Sequence, residues 1–258
     1  MHRTLSRREF GASGTSLALA AASLVLLVHG HVLAAEACSA RSGPAVAPVV
    51  ELYTSEGCNS CPPADRWIST LKHDPSVVAL AFHVDYWDRL GWKDRFASAA
   101  FTQRQATQQA SNGARFSYTP QVVVDGRDRT DWPRLSSLGD SRPAAPVDVV
   151  LSRDGDRVSA SVAASGRAPK RLAAYWAVTE QDHVSAVKAG ENEGVTLHHD
   201  FVVRDYRTVP AWTATPGASE ALALQIPAAA DPAHRREVNL VVVDADTGRP
   251  VQALKIGC

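Results

Sequence analysis

Two cysteines separated by two residues are the clearest chemical signal in the chain. Cys58 and Cys61 lie in "TSEGCNSCPPAD", and Pro62 and Pro63 follow the second cysteine directly. Two intervening residues allow the sulfurs to form a disulfide at tolerable strain, so the pair suits redox chemistry. The same spacing also occurs in metal sites and in small structural disulfides. The surrounding sequence has to distinguish these three kinds of site.

A strand and a helix are predicted on the two sides of the cysteine pair. "APVVELY" (47–53) is a short apolar run that is typical of a buried strand. After the pair, two prolines fit the first turn of a helix, and apolar residues recur at helical spacing over 64–71. A CxxC motif between a strand and a helix, inside a βαβ pattern, is the layout of a thioredoxin-like redox site.

The helix predicts different roles for the two sulfurs. Its N-terminal end supplies positive potential, which favours a thiolate on an exposed cysteine. Pro62 disfavours helical backbone at Cys61, so the helix is expected to begin there or one residue later. We therefore expect Cys58 to lie exposed in the turn and to act as the nucleophile. Cys61 is expected to be more buried and to act as the resolving thiol.

Three further segments complete an α/β pattern. "SVVALAFHVDYW" (76–87) is typical of a second buried strand, and "KDRFASAAFTQRQATQQA" (93–110) of a helix with one polar face. "TPQVVVDGRD" (119–128) predicts a third strand that ends in an Asp-Gly turn. Residues 36–140 are therefore predicted to form an α/β thioredoxin-like domain, a mixed sheet with flanking helices.

The sequence changes character after "GDSRPAAP" (139–146), which is typical of a linker. Alternating apolar and polar segments follow, with hairpin turns predicted at Asp154-Gly155 and Thr247-Gly248. No long helical period is present in this part. Residues 141–258 are therefore predicted to form an antiparallel, all-β domain that resembles a sandwich.

The first 35 residues are interpreted as a twin-arginine-type signal peptide. Arg7 and Arg8 precede an apolar run, "LALAAASLVLLV" (17–28), and small residues follow. The alternative is a membrane anchor, but a bilayer span needs roughly 20 apolar residues. We therefore predict an exported protein, periplasmic or secreted, without a stable membrane span after cleavage. Such compartments permit disulfides.

The four cysteines allow three pairings. Cys38 and Cys258 lie near the two ends of the mature chain, and we expect them to join. The alternative is a pair of unpaired thiols. In both cases Cys58 and Cys61 are left for each other.

Charge excludes one class of partner. The chain has 27 basic and 27 acidic residues, so its formal net charge is zero. Nothing in this balance favours capture of nucleic acid or of an anionic membrane surface. We predict no nucleic-acid partner.

Several long motifs resemble one bacterial family. They are "VVELYTSEGCNSCPPAD", "HVDYWDRLGWKDRFASAAFTQRQ", "YTPQVVVDG" and "GENEGVTLHHDFVVR". These segments are similar to the exported thioredoxin-like family called domain of unknown function 1223. The resemblance implies a fold and a redox site, but no substrate, because the activity of the family is undefined. Gly57 replaces the tryptophan that thioredoxin has before its first cysteine, so thioredoxin's partners do not carry over.

The thioredoxin-like resemblance also implies roles for Pro120 and Glu51. Pro120 stands at the start of a strand, where such folds place a cis-proline against the CxxC motif. The neighbouring backbone can then pair with an extended substrate. Glu51 stands near the position of a buried carboxylate that relays protons to the second thiol. The alternative for Glu51 is a solvated glutamate at the edge of a strand.

Histidines and acids elsewhere are interpreted as structural. His83, Asp85 and Asp88 follow the second strand, where they either hold a metal or cap a loop, and we favour the loop. His198 and His199 are adjacent, so on a strand they face opposite sides and do not serve one simple site.

Three function classes follow. The favoured one is thiol–disulfide exchange through Cys58 and Cys61 on thiol- or disulfide-bearing exported proteins, with no cofactor beyond the disulfide. The second is a binding module in which the CxxC disulfide is inert. The third is a copper or zinc metallochaperone. A metal is disfavoured because Met1 is the only methionine, and two cysteines fall short of the four ligands of a closed zinc site.

Overall fold

The chain is dominated by β-structure. The computed structural model describes residues 38–135, 137–139, 141–229 and 231–258, which form fourteen strands and two α-helices. The helices are α1 (Pro62–Ser69) and α2 (Ala99–Ser111). The strands are β1 (Cys38–Arg41), β2 (Val49–Thr54), β3 (Val78–His83), β4 (Gln121–Val124), β5 (Arg127–Asp128), β6 (Val147–Asp154), β7 (Arg157–Ala164), β8 (Arg171–Glu180), β9 (His183–Ala186), β10 (Thr196–His199), β11 (Val202–Thr213), β12 (Ser219–Gln225), β13 (Arg236–Asp244) and β14 (Pro250–Ile256).

An eight-stranded mixed sheet runs through the molecule in the order β14-β13-β8-β11-β3-β2-β4-β5. Its centre is parallel, because β3 pairs in parallel with both β2 and β11. The remaining pairs in the sheet are antiparallel. Two smaller sheets complete the fold. One has four strands in the order β1-β6-β7-β12, and the other is the β9–β10 ribbon.

The two faces of the large sheet are covered differently. On one face, Val50 and Leu52 of β2 pack against Ile68 of α1, and the four-stranded sheet covers the β8–β13 end. On the opposite face, Tyr53 and Phe82 pack against α2. Because successive residues of a strand point to opposite faces, α1 and α2 are in contact with different residues of β2.

The predicted fold class is wrong. We expected a helix-flanked α/β thioredoxin-like domain followed by a separate sandwich. The structure has mostly strands, and its large sheet takes β8, β11, β13 and β14 from the part of the chain beyond residue 140. β11 pairs with β3 because the edge strand of a βαβ unit leaves backbone donors and acceptors that a further strand can pair with. β8, β13 and β14 then extend the sheet beyond β11. The boundary at residue 140 stays a prediction.

Local predictions agree with the structure around the turns. The Asp125-Gly126 turn connects β4 and β5, and both residues have positive φ, 51° and 73°. This conformation suits a two-residue hairpin, which explains the Asp-Gly sequence. Hairpins also form at Asp154–Arg157 and around Thr247-Gly248.

All four cysteines form disulfides. Cys38 is bonded to Cys258 and Cys58 to Cys61, so the alternative of unpaired terminal thiols is wrong. The predicted signal peptide, residues 1–35, lies outside the described residues. Within the described part of the chain, no helix is long and apolar enough to cross a membrane.

Candidate functional site

The CxxC motif forms a tight turn that leads directly into α1. The Cys58 backbone N–H donates to Ser55 O at 3.1 Å, and the Cys61 N–H donates to Cys58 O at 3.2 Å. Cys61 is the residue before α1, and its carbonyl accepts from Ala64 N–H at 2.9 Å. The disulfide therefore closes at the first turn of the helix, with its Cα atoms 5.4 Å apart.

Both sulfur-bearing residues are buried. Cys58 and Cys61 are each 0% exposed, whereas Asn59 and Ser60 between them are exposed. The expectation that Cys58 is exposed is therefore wrong. The turn itself does present its tip to solvent, but neighbouring segments cover the sulfurs from the side, and these segments are distant in sequence.

A hydroxyl group is directed at the Cys58 sulfur. Thr119 Oγ1 lies 3.3 Å from Cys58 Sγ, and it accepts the indole N–H of Trp87 at 2.8 Å. Because Trp87 is a donor only, the Thr119 hydroxyl proton is left to point at the sulfur. Ser60 Oγ also lies 3.4 Å from this sulfur and 3.4 Å from Thr119 O, to which it donates. A donor at this position stabilises a Cys58 thiolate.

Pro120 follows Thr119, which lies against the cysteine turn. The Thr119–Pro120 peptide bond is cis, and the next residue starts β4. Thr119 contacts Cys58 through its hydroxyl and Ser60 through its carbonyl. The structure therefore brings three of the four predicted site residues together: Cys58, Cys61 and Pro120.

Residues 187–195, here called the cover loop, connect β9 to β10 and lie over the cysteine turn. Asn192 is buried, and its side-chain amide donates to Glu56 O at 2.8 Å and to Cys58 O at 3.0 Å. Glu191 Oε2 accepts from the Asn59 N–H at 3.2 Å. The cover loop therefore holds the backbone on both sides of the first cysteine.

A buried group of charged residues lies next to the turn. His199 of β10 stands between two carboxylates, with Nε2 3.6 Å from Glu56 Oε1 and Nδ1 3.8 Å from Asp65 Oδ1. Burial lowers the pKa of His199, but the attraction of Asp65 and Glu56 outweighs it and raises the pKa to about 9. His199 is therefore charged at neutral pH, and it links the two segments that flank the CxxC motif.

Asp65 is the carboxylate that lies nearest to Cys61 along the helix. It is four residues after Cys61, so the two side chains lie on the same side of the helix, with Cβ atoms roughly 5–6 Å apart. Asp65 is buried, and its Oδ2 accepts from Thr54 Oγ1 at 3.2 Å. A buried acid–base pair, Asp65 and His199, is thus placed beside the second sulfur.

A second buried pair supports the loop in front of the motif. His83 Nδ1 lies 2.7 Å from Asp94 Oδ2, which also accepts from the Glu56 N–H at 2.9 Å. Burial raises the pKa of Asp94, but His83 and these backbone donors outweigh it and hold the pKa at about 2. The Asp94 carboxylate is therefore ionised and fixes the residue two positions before Cys58.

Glu51, the fourth predicted site residue, is not part of this site. It lies on the α2 face of β2, where it pairs with Arg104 of α2 and accepts from Tyr53 Oη at 2.8 Å. α1 and the cysteine turn lie on the opposite face. The alternative of a solvated glutamate is also wrong, because Glu51 is buried. The buried carboxylate on the helix face of Cys61 is Asp65 instead.

Three residues around the cysteine turn were not predicted from the sequence: Asp65, Glu56 and Asn192. The signal for Asp65 was present, because a residue four positions after Cys61 shares its helix face. The alternation of His198 and His199 was predicted, and the structure has His198 exposed and His199 buried. Asn192 gave no local signal, since it is 134 residues from Cys58.

The residues weighed as a metal site do not converge. His83 pairs with Asp94, whereas Asp85 Oδ1 accepts from Thr102 and Asp88 Oδ1 accepts from the Asp94 N–H. Within the described ranges, no group of three or more His, Cys, Asp or Glu side chains is arranged to hold a metal ion. The prediction that the protein needs no cofactor stays a prediction.

Comparisons with known proteins give a family but no activity. The family model described as "Protein of unknown function (DUF1223)" matches residues 49–244. A crystal structure of a protein from Agrobacterium tumefaciens is 30% identical, with a TM-score of 0.61, and the match covers 83% of this chain and 96% of that one. HBP35 of Porphyromonas gingivalis is 12% identical, with a TM-score of 0.57 and coverages of 84% and 76%, a likeness of fold alone. No curated protein matches this chain.

Proposed function

We propose that this chain, which belongs to the DUF1223 family of proteins of unknown function, carries out thiol–disulfide exchange through Cys58 and Cys61 on other exported proteins. The observation that carries the proposal is the Thr119 hydroxyl, oriented by Trp87 and directed at Cys58 Sγ. A purely structural disulfide has no need of a donor that stabilises one of its thiolates. The pair also lies at the first turn of α1, where the positive end of the helix favours a thiolate.

The exchange takes two steps. A client thiolate attacks Cys58 Sγ, the Cys58–Cys61 bond breaks, and Cys61 leaves with the electron pair as a thiolate and takes up a proton. A second client thiol, after losing its proton, attacks the client sulfur of the mixed disulfide and releases Cys58 as a thiolate. The client is oxidised by two electrons to a disulfide, and the protein is reduced to a dithiol. The reverse sequence reduces a client disulfide.

We assign the proton of Cys61 to the Asp65–His199 pair. Asp65 shares a helix face with Cys61, and His199 beside it, charged at neutral pH, holds the proton that the leaving Cys61 thiolate takes up. A buried thiolate is costly without a proton or a partner, so an acid–base group beside Cys61 favours its departure from the disulfide.

Export is part of the proposal. Two disulfides join all four cysteines, and this use of cysteine is compatible with an oxidising compartment. The twin arginines and the apolar run of residues 17–28 support delivery to the periplasm or beyond.

A second candidate function is favoured by one specific observation. Both Cys58 and Cys61 are 0% exposed, which suits an inert disulfide in a module that binds a partner through another surface. In that case the polar groups around the motif hold the turn rather than serve exchange. Redox measurements separate the two functions.

The test combines a reduction potential with the trapping of clients. We expect the reduction potential of the Cys58–Cys61 disulfide to lie above about −300 mV, because structural disulfides typically lie below that value. In the exported compartment, Cys61→Ser should accumulate mixed disulfides through Cys58, because the resolving thiol is absent. The matched variant Cys58→Ser should accumulate none. A potential below about −300 mV together with no trapped protein in Cys61→Ser would overturn exchange in favour of the binding module.

A further inference from the structure

The cover loop is attached to the cysteine turn mainly by polar groups. Of the loop's contacts with the motif, the amide of Asn192 supplies two hydrogen bonds and the carboxylate of Glu191 supplies one. Four of the five loop residues after Gly190 are exposed: Glu191, Glu193, Gly194 and Val195. Val187 at the start of the loop is buried, whereas Asn192 is the only buried residue of 191–195. Lifting residues 191–195 therefore exposes little apolar surface of the loop itself, and such segments open at low free-energy cost.

The loop is also built to move as a unit. Internal hydrogen bonds close it upon itself, since Gly194 N–H donates to Val187 O at 3.0 Å and Val187 N–H to Val195 O at 2.9 Å. Gly190 and Gly194 have positive φ, 78° and 81°, which only glycine adopts readily. Gly190 lies against Trp92, where an added Cβ would be 3.3 Å from Trp92 Cβ. Because Gly190 has no side chain, the loop separates from Trp92 at this contact without withdrawing a side chain.

We propose that the cover loop is a gate over the Cys58–Cys61 disulfide and that Asn192 is the positioning residue that holds it shut. Asn192 donates to the carbonyls of Glu56 and Cys58, so it fixes the backbone of the first cysteine and ties the loop to the cysteine turn. Both cysteines are fully buried in this closed state, and exchange in this proposal follows opening of the loop, which uncovers the turn. This inference rests on the proposed function for its biological role, but gating itself is independent of the client.

The gate predicts how fast a small thiol reaches the disulfide. When opening is rapid and reversible, the rate of reduction is proportional to the open fraction of molecules. Asn192→Ala removes two buried hydrogen bonds that exist only in the closed state. Loss of two such bonds is expected to raise the open fraction, and hence the rate, by roughly tenfold or more.

The test measures reduction of both disulfides by dithiothreitol in the oxidised full-length mature protein, with alkylation and mass spectrometry at each time point. Asn192→Ala should speed reduction of Cys58–Cys61 about tenfold. Reduction of Cys38–Cys258 in the same sample should stay unchanged, which separates gating from a general loss of stability. Glu193→Ala is the matched control, because this exposed side chain of the same loop makes no hydrogen bond within the described residues. It should behave like the wild type.

Hydrogen exchange in the unmodified protein gives a test that needs no variant. The backbone N–H of Asn59, which donates to Glu191, should exchange through the same opening as the cysteine turn and faster than the amides of β2 and β3. A Cys58–Cys61 reduction rate in Asn192→Ala within twofold of wild type would overturn the proposed gate. So would an Asn59 amide that exchanges as slowly as the amides of the central strands. Failure of the proposed function looks different: the gate opens as predicted, but Cys61→Ser traps no client.

Discussion

The two disulfides of the protein differ in almost every physical respect. Cys38 and Cys258 are 220 residues apart, and Cys258 is exposed. Cys58 and Cys61 are three residues apart and fully buried. The first joins β1 to the segment after β14, and the only polar contact described at Cys258 is its carbonyl, which accepts from Arg153.

The polar surroundings of the pairs differ even more. The buried pair has a hydroxyl at Cys58 Sγ, an amide clamp on its backbone, and a charged His199 held between Glu56 and Asp65. Under the proposed exchange function, exposure and reactivity are therefore separated in this molecule. The long-range disulfide has the position of a structural cross-link, and the buried one has polar groups that exchange chemistry would use. In the same proposal, burial of the CxxC motif controls access to its sulfurs.

The largest contrast is expected in stability. Removing the long-range disulfide with Cys38→Ala and Cys258→Ala should lower the free energy of unfolding by about 5 kcal/mol, because its closure of a 220-residue separation restricts the unfolded chain most. The double variant Cys58→Ser, Cys61→Ser should lower the free energy of unfolding by only about 2 kcal/mol, because this disulfide closes a much shorter loop. Urea unfolding of the three proteins measures both values. Equal losses would contradict the assignment of structural and reactive roles.

A smaller effect is expected from pH at the buried pair. The pKa of His199 is about 9 in the folded protein and 6.5 ordinarily, so its contribution to stability is complete below about pH 6.5. That contribution is lost as the pH rises through about 9, and it is on the order of 3 kcal/mol. The titratable groups that face it are Glu56, Asp65, His83, whose ring centroid is 4.9 Å away, and His183, its partner across the β9–β10 ribbon.

Urea unfolding at pH 6 and pH 9.5 measures this dependence. His199→Gln should flatten the difference between the two pH values, whereas His198→Gln should leave it intact, because His198 is the exposed neighbour on the same strand. A wild-type stability that is the same at both pH values would show that His199 is neutral in the folded protein. Identical pH dependence in His198→Gln and His199→Gln would contradict the ion pairs.

The smallest effect concerns the chemistry of one sulfur. Thr119→Val removes the hydroxyl that donates to Cys58 Sγ and stabilises its thiolate, so the pKa of the reduced Cys58 thiol should rise. The pH profile of alkylation in the reduced protein measures this shift. Ser60→Ala is the comparison, because the Ser60 proton is donated to Thr119 O, and its effect should be smaller. A larger rise in the Cys58 pKa in Ser60→Ala than in Thr119→Val would show that Ser60, and not Thr119, is the main donor to Cys58 Sγ.

The sequence was sufficient for the local environment of the motif. The strand, the turn and the helix start around Cys58 are set by neighbouring residues, and so are the position of Pro120 and the turn at Asp125-Gly126. These features depend on apolar runs, prolines and glycines that act within a few residues. They are therefore visible in the sequence itself.

Long-range pairing was not visible. β11 pairs with β3 across more than a hundred residues, and nothing in either segment specifies the other. The face on which Glu51 lies was not predictable, because every residue of β2 is buried and the strand has no alternation that indicates a side. Asn192 reaches Cys58 only because the β9–β10 ribbon folds back over the turn.

The separation of 134 residues between Asn192 and Cys58 has a consequence for the order of events during folding. Contacts between near neighbours form before those that close a long loop, since the entropy of closure grows with loop length. The two cysteines of the CxxC motif, with a separation of three, therefore come together before the loop that carries Asn192 is placed. The cysteine turn forms first, and the cover loop closes over it afterwards.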